Sequence, residues 1–126
     1  MDKQLLALQN LTCMVLDAER MKLQQIALAE RKLKEQIREL DNESGKRSEQ
    51  LLAKGGSDHA LLAGADMRWQ SWLQQQKRKL NTRRAALLAK RDEQRQKAQK
   101  AFGKDEVVRK LLEQSNEEAR MKSGRV

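Results

Sequence analysis

Between Leu5 and Leu40, apolar side chains return at the steps of an α-helix: Leu5, Leu8, Val15, Leu16, Leu23, Ile26, Leu33, Ile37 and Leu40. The later members are three, four or seven residues apart, which aligns them as one stripe on a helix face. Charges on the other faces support the helix, with Glu30 four residues before Lys34 and Arg31 four before Glu35. The chain has no proline to break such a helix, and its only aromatic residues are Trp69, Trp72 and Phe102. Strand formers are scarce, which argues against a β-sheet. Bulky apolar groups are too few to offset the chain entropy of a compact core. The stripe must therefore be buried sideways, against another helix. Its seam is imperfect, because Glu19 and Glu30 stand where a continued heptad wants apolar groups.

The pattern loosens at the DNESG segment, residues 41–45, and breaks harder at residues 54–66, where Gly55 and Gly56 interrupt and Ser57 or Asp58 could cap a following helix. Leu51 and Leu52 extend the first helix or form a short one of their own. Counting sevens from Leu73 gives Leu80, Leu87, Gln94, Ala101 and Val108, a mostly apolar row. The row taken as its companion, Trp69, Gln76, Arg83, Lys90, Lys97, Lys104 and Leu111, is polar or basic through five heptads. A seam built on these rows is open in its middle, around Gln94, and Gly103 predicts a local break. The expected fold is all-α: one two-helix antiparallel coiled-coil hairpin over residues 1–126. Helix one covers about 2–52, the turn about 53–65 and helix two about 66–120, followed by a disordered C-terminal tail. At 1.5 Å per residue, a second helix of ~50 residues would extend ~75 Å, so the hairpin is expected to be elongated.

Charge is distributed unevenly along this hairpin. Residues 67–104 hold twelve Lys and Arg against two Asp and Glu, while the segments on either side are close to neutral, so this stretch carries the whole excess of +9. Solubility alone favours mixed signs, and so localised an excess points to an acidic partner. The candidate contacts are Arg83, Arg84, Lys90, Arg91, Arg95 and Lys97. Residues 89–101 add only alanines to the apolar inventory, so no apolar face is available there for a membrane surface. For nucleic acid there is no stacking platform beyond the two tryptophans, nor a basic fork backed by a tight zipper. An acidic protein is the favoured partner, with a nucleic-acid-associated protein as the alternative.

No catalytic constellation is legible, and the chain is not expected to be an enzyme or to need a cofactor. His59 is the only imidazole, has no second ligand nearby, and reads as an exposed loop residue. Cys13 lies beside Met14, Val15 and Leu16 and reads as a filler on a helix face. As the single cysteine it allows no internal disulfide, which favours a reducing compartment. No apolar run approaches the ~20 residues of a membrane span, and the first residues lack a signal-peptide layout, so a cytoplasmic location is expected. Trp69 and Trp72 are placed to lock the hairpin tip or to anchor a partner, and both hold if one ring faces inward and the other outward.

The order AGADMRWQSWLQQQKRKLN, then a long basic helix, then AFGKDEVVRKLLEQ resembles the type III secretion stalk proteins, the FliJ-type proteins of flagellar export and their YscO-type relatives in injectisomes. The resemblance covers about residues 63–115. Its specific marks are the tryptophan pair and the Ala101-Phe102-Gly103 step. It implies a two-helix antiparallel coiled coil that inserts in the pore of a hexameric secretion ATPase, promotes assembly of that ring, and links it to the export-gate membrane protein. It also implies handling of export chaperones, and an export-chaperone role is a further alternative. The resemblance places Trp72, Ala101, Phe102, Gly103 and Leu111 on matched positions, with Trp72 and Phe102 as partner contacts. Lys104 stands where relatives often carry Arg. The implied location is the cytoplasmic side of the inner-membrane secretion apparatus, in a flagellum or a virulence system.

Overall fold

A computed structural model of the chain describes residues 2–54 and 59–124, with side chains described over 3–50 and 63–124. All of it is helix: α1 runs from Asp2 to Lys54 and α2 from His59 to Gly124. The two helices pack against each other, which is the expected all-α hairpin. Gly55, Gly56, Ser57 and Asp58 lie outside the described residues, as do the side chains of Leu51, Leu52 and His59. α2 begins at His59, inside the segment that reads from sequence as turn, and continues past residue 120 into the expected tail. The HALLAGAD segment is rich in Ala and Leu, and these strong helix formers carry the helix through Gly64. α1 likewise passes through the DNESG segment without interruption.

The hairpin divides into two units, residues 1–26 with 90–126, and residues 27–89. In the first unit, Leu16 of α1 and Ala101, Val108 and Leu112 of α2 are the buried apolar side chains among the described residues. Contacts between the helices fix their direction: Thr12 meets Asp105 and Glu19 meets Gln94. In the second unit, Glu30 meets Arg84, Asp41 meets Lys77 and Arg47 meets Asp66. In each unit the partner number falls as the first rises, so each unit is antiparallel.

Burial corrects the register of the seam. The row from Leu73 does face inward, with Leu73 fully buried and Gln94, Ala101 and Val108 buried. Its companion lies one residue beyond the expected one. In the second unit it is Gln70, Lys77 and Arg84, beside which Trp69 and Gln76 of the expected row are half-buried as well, and in the first it is Arg91, Ala98, Asp105 and Leu112, all buried or half-buried. Arg83, Lys90, Lys97, Lys104 and Leu111 are exposed at its edge instead. A residue three or four positions from Leu73 can share its stripe, and the acids of α1 decide between the two. The half-buried Glu30 carboxylate and Asp41 are met by Arg84 and Lys77, which only the second row can supply.

The seam is also closed where it was expected to be open. Gln94 is buried, and its side-chain amide donates to the Glu19 carbonyl at 3.1 Å and to the Glu19 carboxylate. The acid that spoils the apolar stripe of α1 is thereby hydrogen-bonded across the seam. Replacing Gln94 by Ala leaves that part-buried carboxylate without its cross-helix donor. A stability loss of about 1–3 kcal/mol is expected in chemical denaturation, rather than the near-neutral effect of an open seam.

Gly103 does not break α2, which is continuous there. A Cβ built on it meets nothing within 4 Å. Glycine in a helix interior leaves the unfolded chain more freedom than alanine does, so Gly103→Ala is expected to raise stability by about 0.5–1 kcal/mol. A rise in melting temperature at unchanged helicity is the check.

Candidate partner-binding surface

The structure sorts the cations of α2 by what they touch. Lys77, Arg84 and Arg91 lie in the seam. Lys77 pairs with Asp41, and the Arg84 Nε stands 3.8 Å from the Glu30 carboxylate. Glu30 also pairs with Lys34 of its own helix at 3.5 Å. Arg91 is half-buried, with its Nε 3.8 Å from Asp92. Lys77 and Arg84 thus bridge the two helices, and Arg84 and Arg91 are two of the cations expected to face a partner. Both follow directly after an edge position and fall one step further round the helix.

Arg83, Lys90, Arg95 and Lys97 are exposed, and none has an acid within ion-pair range among the described residues. In the first unit Lys90 and Lys97 stand seven residues apart on one edge of α2, joined by the exposed Lys104. Arg95 lies on the opposite edge, in the same column as Phe102. In the second unit Arg83 occupies the heptad position that Lys90 and Lys97 hold in the first. Six basic residues expected as one cluster with shared duty are thus two seam residues and four outward ones on two edges.

The two tryptophans separate in the same way. Trp69 is half-buried, with the Arg47 guanidinium stacked over its ring at 4.6 Å from the centroid. The same Arg47 stands 3.9 Å from Asp66, so ring and carboxylate hold one cation between the helices. Such stacking contributes about 0.5–2 kcal/mol, depending on how far the cation is desolvated. Trp72 faces outward and is half exposed, as is Phe102. An indole left in water at that cost is available to a partner. Asp105 is the residue that sequence reasoning missed. It is buried in the first unit, accepts a hydrogen bond from the Thr12 hydroxyl at 2.8 Å, and pairs with Arg109 at 3.0 Å. Its spacing of seven from Ala98 and Leu112 is the signal that would have placed it in the seam.

Among the described residues no three His, Cys, Asp or Glu side chains converge on a metal-sized site, and no helix is long and apolar enough to cross a membrane. Cys13 is a free thiol, half-buried at the edge of the seam, with Asp17 on the next turn. No family model, curated protein or solved structure matches this chain.

Proposed function

We propose that the protein acts by binding rather than by catalysis, as the central stalk of a type III secretion ATPase. In this reading it inserts in the hexameric ring, promotes ring assembly and activity, and links the ring to the export gate. The single observation that carries the reading is the division of charge on α2. Its seam cations Lys77 and Arg84 are met by acids of α1, whereas Arg83, Lys90, Arg95 and Lys97 are exposed and none stands in an ion pair across the seam among the described residues. Exposed cations on a helix give attraction that is long-ranged and weak per contact. A shaft that must touch a ring and release it as the ring changes shape needs contacts of that kind. A continuous apolar seam would dock once and stay. The resemblance of residues 63–115 to the FliJ and YscO proteins supplies the partner, and with it a place on the cytoplasmic side of the secretion apparatus.

The same outward charge would serve a nucleic-acid-associated protein, and one experiment separates the two. Binding to a purified secretion ATPase is measured across a salt series, with nonspecific duplex DNA as competitor. The stalk reading expects binding that weakens with salt and survives excess DNA. Displacement by DNA, with a steep salt slope on the DNA itself, would favour the nucleic-acid reading instead.

A further inference from the structure

The outward face of α1 in the first unit carries a second stripe. Ala7, Leu11, Met14, Ala18 and Met21 follow one another at steps of four, three, four and three, away from the row that packs on α2. All are exposed, Leu11 at 58% and Met14 at 69%. Leu8 and Val15 border the stripe on one side, Asn10 and Asp17 on the other. The stripe itself holds no charged residue from Gln4 to Met21. A face meant only for water would carry Lys and Glu, as the outward face of α2 does.

We infer that this face binds the same face of a second copy of the chain, antiparallel about a two-fold axis, forming a reversible dimer. Every contact across a two-fold axis occurs twice, so such a stripe must complement its own reverse. This one does. The register that sets Leu11 against Met14 of the partner subunit also sets Ala7 against Ala18 of the partner subunit. Large side chains then meet at the centre, and alanine layers on either side let the backbones approach. The borders fit the same register. They bring Val15 beside Leu8 of the partner subunit and Asp17 beside Asn10 of the partner subunit. Sliding by one heptad in one sense would instead set Asp17 against its own copy, placing like charges in contact, and sliding in the other would set Leu11 against Ala7 of the partner subunit and Met14 against Gln4 of the partner subunit, losing the central apolar contact. The fifteen residues from Ala7 to Met21 cover ~21 Å of helix. That places the contact in the small-interface class, below ~1,200 Å², so the dimer dissociates on dilution. The inference does not rest on the stalk reading, because the cations of that reading are on α2.

Sedimentation from low to high micromolar protein should show the mass rising from 14.6 kDa towards twice that value. Leu11→Glu, an exposed substitution that leaves the seam untouched, should hold the protein at monomer mass throughout with unchanged circular dichroism. Geometry is read by disulfide formation in a Cys13→Ser background. A mixture of Ala7→Cys and Ala18→Cys chains should link into a covalent dimer under mild oxidation, and neither variant should link to itself. Like cysteines would be offset by eleven residues, ~16 Å of helix, beyond disulfide reach. A monomer mass at the highest concentration overturns the inference. So does self-linking of Ala7→Cys as efficient as the mixture, or a Leu11→Glu variant that still dimerises.

Discussion

Reversing Arg83, Lys90, Arg95 and Lys97 to Glu together is expected to abolish stimulation of a secretion ATPase while leaving the hairpin folded. All four side chains are exposed and outside the seam, and Glu is as good a helix former as Lys or Arg. The exchange takes the formal charge from +9 to about +1, and its new like-charge neighbours, Glu93 beside positions 90 and 97 and Asp92 beside 95, cost only about 0.2–0.5 kcal/mol each, so the hairpin is expected to stay folded. Attraction to an acidic pore becomes repulsion, and turnover of the ATPase should drop to its unstimulated rate. Arg84→Glu is the matched control. It places a carboxylate against Glu30 in the seam, so its effect should be a lowered melting temperature. A folded fourfold variant that stimulates like wild type would remove the outward cations from the mechanism and leave Trp72 and Phe102 as the contact.

Leu73→Ala is expected to cost about 2–5 kcal/mol of stability, the range for truncating a fully buried leucine. Leu73 is 0% exposed and is the largest fully buried side chain among the described residues. A domain of this size has only ~5–15 kcal/mol in total, so one truncation consumes a large share. Leu33 and Ile37 of α1 are half-buried, and their truncation should cost less in proportion to the smaller area withdrawn from water. Urea unfolding of the three variants checks the order. Equal shifts would mean that the seam of the second unit has no dominant anchor.

The apolar stripe of α1 and the row from Leu73 to Val108 were legible, because side chains seven residues apart must share a face on any continuous helix. The row beside Leu73 was not legible, because a residue three or four positions away can share its stripe, and Gln70 and Trp69 are both compatible with packing. Glu19 and Glu30 held the missing information. An acid on an apolar stripe requires a donor or cation opposite it, and that requirement picks Arg84 over Arg83 and closes the seam at Gln94.

Gly103 teaches the same distinction from the other side. Its propensity predicts a break, yet a helix already paired on both sides of it, through Ala101 and Asp105, absorbs a cost of about 1 kcal/mol without opening. By itself the sequence determined that this chain is helical and must pair its helices, because composition and a 3.6-residue period leave no other way to bury its leucines. Only the tertiary structure decided which cations serve the seam and which face outward. One residue is 100° of helix, and the acids that settle that angle lie on the other helix, more than fifty positions away along the chain for Glu30 and Arg84.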